Sequence, residues 1–419
     1  MNKKSYSCIH GVLLYIKEPY MSYLDDWIDA FVESPLFDLK IIDISVNIPD
    51  FSNYLKSLSY NDFIILHHSI LRTLENISIF DRIKNFVIES KAPKISFIGD
   101  ELNLHNAPLS KKLEVLKQIS PILVCTQLLK EAGDYLYGDI SKEVISLPHA
   151  LNEKIFKSLI SLENRKIDLG YISVPYPPYL GDNHRGKLLN FFLNNYGKYN
   201  LKVDIRHTLD GWQKRLNRNE WAFFLSNIKG TFSTEAGSFY LYKDDELVMN
   251  IYNYIVNNKK KIVLKGESIP KKLYRLLPTH IRYSLKYFIF KKSFLKNLIQ
   301  IDNYAIYYES SFNEIYEKFF KNIEKPQYYG KAISSRHFDA IGTKTIQLLI
   351  EGRYNDILKP YDNYIPIKED LSNTDEAIGL FKDFEYVRKV TEQTYELIYD
   401  AHRYCHRLKK LYDKILTLE

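Results

Sequence analysis

The chain of 419 residues has little of what stabilises small secreted folds: its three cysteines, Cys8, Cys125 and Cys405, are far apart and odd in number. That pattern provides neither a disulfide framework nor zinc-ligand spacing, so a reducing, cytoplasmic compartment is expected. Glycine and proline number only 16 and 15, which excludes collagen-like and low-complexity chains. No apolar run reaches the roughly 18 residues that suggest a membrane span. The first apolar stretch, 9–16, is interrupted by His10 and soon meets Lys17 and Glu18, so it reads as a strand and not as a signal peptide. A Gly-x-Gly-x-x-Gly fingerprint, a Walker loop and a Gly-x-Ser-x-Gly elbow are all missing, which argues against common dehydrogenases, NTPases and hydrolases. His402 and His406 have no third ligand nearby, so no metal is expected. The net charge of +7 is modest for this length and predicts local basic patches, with no nucleic-acid partner.

What is present is a folded composition, 45% hydrophobic and 26% charged, long enough for two or three domains. The first 150 residues alternate short apolar runs with amphipathic stretches, the pattern of a parallel α/β sheet. Strands are expected at 11–16, 39–44, 62–67, 94–98, 122–125 and 143–146. A second run of the same kind begins with strands at 166–171 and 201–206, separated by a proline-rich loop and by Gly181, Asp182, Asn183, His184 and Arg185 at a helix start. The expected division is a first, acceptor-side domain at 1–160 and a second, nucleotide-binding domain at 161–382. The latter carries a helical basic insertion at about 245–333. A terminal helix at 383–419 has apolar positions three and four apart and is open to packing back on the first domain. Within the insertion, 271–296 holds eight basic residues and no acidic one, interleaved with Leu273, Leu276, Leu277, Leu285, Phe288, Ile289 and Phe294. It reads either as a solvated helix pair or as an interfacial patch for anionic lipid head groups or a lipid-linked acceptor.

The most informative segment runs through Ile333, Ser334, Ser335, Arg336, His337, Phe338, Asp339, Ala340, Ile341, Gly342 and Thr343. Arg336 is a donor fork for a phosphate, Asp339 can accept from ribose hydroxyls, and Gly342 allows a ligand close to a helix. This block resembles the C-terminal signature of bacterial group 1-type glycosyltransferases, with Asp339 where glutamate is usual. Gly99, Asp100 and Glu101 after a strand, Pro148 and His149, and Trp221 leading through Lys229 to Glu235 resemble the same family.

The resemblance implies a GT-B fold: two Rossmann-like, doubly wound domains facing a cleft, with the helical insertion and the long C-terminal helix. It also implies sugar transfer from a nucleotide-sugar donor to a glycan or lipid-linked acceptor in surface polysaccharide synthesis, at the cytoplasm or the inner face of the plasma membrane. Arg185, Lys229 and Arg336 are then candidates for the donor phosphates, with Asp339 and Gly342 at the nucleotide and Glu235 at the sugar. Asp100, Glu101 and His68 lie where an acceptor base is expected. No metal or other cofactor is expected, because the nearest approach to an Asp-x-Asp triplet is Asp244, Asp245 and Glu246. Two other readings fit the same residues: a catalytically silent GT-B-like scaffold that binds a glycan or partner, and a transferase using a CDP- or CMP-activated donor.

Overall fold

The computed structural model describes residues 8–18, 21–46, 50–173, 176–207, 216–258, 262–264, 277, 281, 299–301, 310–324 and 326–418. The first half forms six strands: β1 (Ile9–Tyr15), β2 (Phe37–Asp43), β3 (Asp62–Leu66), β4 (Lys94–Phe97), β5 (Leu123–Thr126) and β6 (Glu143–Ser146). They lie in the order β2-β1-β3-β4-β5-β6, and every neighbouring pair is parallel. Phe63, Ile64, Ile65 and Leu66 of β3 are all buried, as expected of a strand covered on both faces by helices. One such helix is α1 (Ser22–Glu33), which places Leu24, Trp27 and Phe31 against the sheet. Another, α2 (Leu109–Ile119), buries Leu109, Leu113, Leu116 and Ile119.

In the second half, β7 (Ile167–Ile172), α3 (His184–Asn195), β8 (Val203–Arg206), α4 (Arg218–Ser226) and β9 (Ile228–Ser233) come first. After α5 (Glu246–Asn257) follow α6 (Ser335–Gly342), β10 (Ile346–Ile350) and β11 (Ile365–Ile367). The five strands form a parallel sheet in the order β11-β10-β9-β7-β8. In each sheet the connections leave in opposite directions from two neighbouring strands, β1 and β3 in the first, β7 and β9 in the second. The carboxyl ends of such strands flank a crevice where α/β proteins bind ligands.

The two halves also meet directly. Asn355 Nδ2 donates to the Gln127 carbonyl at 2.9 Å, Arg353 pairs with Glu131 at 2.7 Å, and the rings of Tyr135 and Tyr328 stack with centroids 4.3 Å apart. Asp245, at the start of α5, accepts from the backbone N–H groups of Leu109 at 3.0 Å and Ser110 at 2.8 Å, and so caps α2 from the other half.

The apolar stripe that reads as one terminal helix is carried by two, α7 (Phe384–Ala401) and α8 (Tyr404–Leu416). At the break, the His402 carbonyl accepts from Leu151 N–H at 3.0 Å, and the Leu151 carbonyl accepts from Tyr404 N–H at 3.3 Å. Val387 and Val390 of α7 join the second sheet's core, whereas Tyr404, Leu408, Leu411, Tyr412 and Ile415 of α8 pack with Ile9, Trp27, Phe31 and Phe37 of the first half. Two doubly wound parallel sheets with opposed strand ends and a terminal helix returning to the first make a GT-B fold. The segment expected to be a helical insertion also contains a short parallel pair, Ile262–Leu264 with Ile299–Ile301. Apart from Leu277 and Ile281, the basic stretch 271–296 lies outside the described residues. Among the described residues no helix is long and apolar enough to cross a membrane.

Candidate functional site

A helix linking two parallel strands runs antiparallel to them, so its N-terminus lies at the strands' carboxyl ends and brings partial positive charge there. Arg185 stands in the first turn of α3 and Arg336 in the first turn of α6. The structure therefore brings two of the expected phosphate ligands to the same edge of the second sheet. Arg185 is 8% exposed, its guanidinium carbon lies 4.2 Å from the centre of the Tyr176 ring, and its buried Nε has no hydrogen-bond partner among the described residues. Burial and the nearby Arg185 charge both act against the charge of Arg336, pulling its pKa down to about 10, so it remains a cation at neutral pH. Among the described residues neither guanidinium has a carboxylate partner within ion-pair distance. Two such cations, Arg185 buried and Arg336 partly buried, attract an anion when left in this way.

The acidic side chains around the pair are committed elsewhere. Asp182 pairs with Lys331 at 2.8 Å. Glu235 accepts from Tyr354 N–H at 2.6 Å and from the Tyr329 hydroxyl, and burial raises its pKa. A side chain at Gly352 would bring its Cβ to 2.3 Å from Glu235 Oε2, so any other residue there would displace this carboxylate. Asp339 is 3% exposed and accepts from Trp221 Nε1 at 3.0 Å. Burial, reinforced by the Asp26 charge, raises its pKa well above the usual carboxylate range. Asp26 comes from α1 in the other half and accepts from Asn152 Nδ2 at 2.7 Å and Arg218 Nη1 at 2.8 Å.

Two expected ligands are placed differently. Lys229 is at the beginning of β9, on the sheet edge opposite Arg185 and Arg336, and pairs with Asp168 at 2.9 Å. Gly342 does make room for a close approach, but the approaching group is the chain itself: a Cβ there would lie 2.4 Å from the Phe156 carbonyl oxygen and 2.5 Å from Leu151 Cδ1.

On the first half, Asp100, Glu101 and His68 all follow strand ends and are divided by burial. Glu101 accepts from Thr126 Oγ1 at 2.6 Å, Gln127 N–H at 2.6 Å and Tyr137 OH at 2.8 Å, and burial pushes its pKa up to about 7. His68 lies 2.7 Å from Gln127 Nε2, and burial together with His67 and His149 lowers its pKa well below the ordinary value. Both are interior groups of one network. Asp100 alone keeps an accessible side chain, 36% exposed, with Arg72 Nη1 at 3.5 Å. Arg72 also holds Glu18, which accepts from Asn76 at 2.6 Å. Glu18, Arg72, Tyr176 and Lys331 were absent from the sequence candidates, although the first three follow strands whose ends flank the two crevices.

No protein family and no curated protein matches the sequence. Several solved structures are similar in chain course. TarM has a TM-score of 0.42 at 12% identity, covering 88% of this chain and 57% of its own. A glycosyltransferase from Rickettsia africae ESF-5 gives 0.44 at 11% identity, covering 97% of this chain and 99% of its own. Anabaena HepE in complex with UDP-glucose gives 0.45 at 7%, covering 97% and 100%. This chain thus spans little more than half the length of TarM.

Proposed function

We propose that the protein is a glycosyltransferase whose Arg185 and Arg336 receive the diphosphate of a nucleotide-sugar donor. The observation that carries this is the pair of guanidinium groups at the N-termini of α3 and α6 that have no carboxylate partner among the described residues. In sugar transfer the bond from the anomeric carbon to the diphosphate breaks, and negative charge grows on the departing phosphate. Fixed cations and helix N-termini at that point stabilise the transition state more than the ground state. The reading includes no metal, because Asp182, Glu235 and Asp339 already have protein donors and the two arginines repel a cation. Asp100, across the cleft, is assigned to the acceptor hydroxyl. We place the reaction in the cytoplasm, with a glycan or lipid-linked acceptor of a bacterial surface polysaccharide and with 271–296 facing anionic lipid. The support for these last assignments is the sequence resemblance and the charge pattern alone.

The engagement of Glu235 and Asp339 by protein groups favours one other reading, a GT-B scaffold that binds nucleotide or glycan without turnover. Thermal shift with UDP, GDP, CDP, CMP and dTDP tests the donor site, since a ligand held only by the folded state at about 100 times its Kd stabilises by about 2.7 kcal/mol. One nucleotide is expected to raise Tm, and Arg185→Ala and Arg336→Ala are each expected to diminish the rise while remaining folded. The absence of any shift at millimolar nucleotide would overturn the assignment. A shift without hydrolysis or transfer of the matching nucleotide sugar, across a panel of acceptors, would select the silent scaffold.

A further inference from the structure

We propose that Tyr176 is a positioning residue that keeps the Arg185 guanidinium available to a diphosphate; this rests on the anion-site reading above. A buried arginine ordinarily uses its N–H groups on protein oxygens. Arg165 in this chain does so, donating to the carbonyls of Ile160 at 3.1 Å, Ile228 at 2.9 Å and Thr343 at 2.6 Å. Arg407 likewise donates to the Pro148 carbonyl at 2.9 Å. Arg185 instead rests on an aromatic face, with its guanidinium carbon 4.2 Å from the Tyr176 ring centre. A ring beneath the guanidinium plane stabilises the charge while leaving the in-plane N–H groups unoccupied.

The support for this arrangement comes from one short antiparallel pair, Ala236–Gly237 with Lys331–Ala332. The Gly237 carbonyl accepts the Tyr176 hydroxyl, which fixes the ring. Its register partner Lys331 draws Asp182 into an ion pair at 2.8 Å. Asp182 is 6% exposed and precedes Arg185 by less than one helical turn, so it is the nearest carboxylate in sequence able to neutralise that arginine. The same pair of strands thus anchors the ring that holds Arg185 and occupies the acid that would compete for it.

The test is calorimetric titration of the full chain with inorganic pyrophosphate. Tyr176→Leu is expected to weaken binding roughly tenfold, whereas Tyr176→Phe, which keeps the ring, retains most of the affinity. In an Arg185→Ala background Tyr176→Leu should cause no further loss, because the ring acts through that arginine. Wild-type affinity in Tyr176→Leu, or a loss that adds fully to that of Arg185→Ala, would overturn the proposal while leaving the anion site standing. Failure of the wild type to bind pyrophosphate, or full affinity in Arg185→Ala, would remove the anion-site reading itself. A route that leaves Tyr176 intact uses Lys331→Gln, which frees Asp182: pyrophosphate should bind more weakly, and adding Asp182→Asn should restore it. Absence of that rescue would refute the role given to Lys331.

Discussion

Asp26 lies on the buried side of α1, where burial pushes its carboxyl up to about 7 against the pull of Arg218 and Asn152. The folded protein therefore keeps a proton that the unfolded chain releases near pH 3.8. Because the native state binds more protons across that interval, this group's contribution to stability falls as pH rises from about 4 to 7 and is level above it. Buried histidines act with the opposite sign: burial takes His67 and His149 down to about 3, so their contribution is present above pH 6.5 and is lost as pH falls toward 3. The two effects overlap, and a single pH curve would not separate them. A difference curve does. The stability of Asp26→Asn minus that of the wild type is expected to rise between pH 4 and 7, by at most about 1.4 kcal/mol per pH unit, and then to flatten. Urea titrations at matched pH measure it; a flat difference across that interval would show that Asp26 is ionised in the folded state throughout.

At the scale of elements, the cap on α2 is unusual in that its acceptor comes from the other half of the molecule. Replacing such a cap by alanine typically costs about 1 kcal/mol. Asp245→Ala should therefore destabilise the protein by about that amount and speed amide exchange at Leu109 and Ser110, where the lost acceptor leaves two N–H groups unpaired. Unchanged exchange at those two amides would mean that the cap carries no weight in solution. The elements themselves were largely legible: the strand at 143–146 has the expected bounds, and the strand expected at 94–98 differs from Lys94–Phe97 by one residue. Apolar runs bounded by polar turns report burial on a sheet directly. The break at His402 was not legible, because neither glycine nor proline marks it and the apolar stripe continues through it. It follows from long-range pairing with Leu151. Arg185 could be singled out in the sequence because it stands where a loop after a strand turns into a helix, and the structure places it at that helix start. Lys229 was misplaced because only the structure shows that β9 begins at Ile228. The contacts joining Asp26, Asn152, Arg218, Trp221 and Asp339 could not be read at all, since no local pattern links groups drawn from both halves and the segment between them.

For the whole molecule the terminal helix pair joins the halves through apolar packing, in addition to the buried cluster of Leu104 and Ala107 with Tyr179, Tyr240 and Val248 and the polar contacts at the cleft. α7 belongs to the second core and α8 to the first, and the chain between them is tied to Leu151 in the connection between the two sheets. Leu408 is 1% exposed and Leu411 0%, and Tyr404 meets Trp27 edge-on at 5.0 Å between centroids. Removing a buried leucine side chain costs about 2–5 kcal/mol. The double variant Leu408→Ala and Leu411→Ala should therefore loosen α8 from the first half without touching the second core. If α8 is what makes the halves unfold together, the wild type should show one calorimetric transition and the variant two, with the second-half transition near its original temperature. Trp27 fluorescence should then change in the lower transition, since that ring packs against α8. A variant that still unfolds in one step, merely at lower temperature, would assign the coupling to the other contacts between the halves, the apolar cluster of Leu104 and Ala107 with Tyr240 and Val248 together with the polar contacts of Asp245, Arg353 and Asn355.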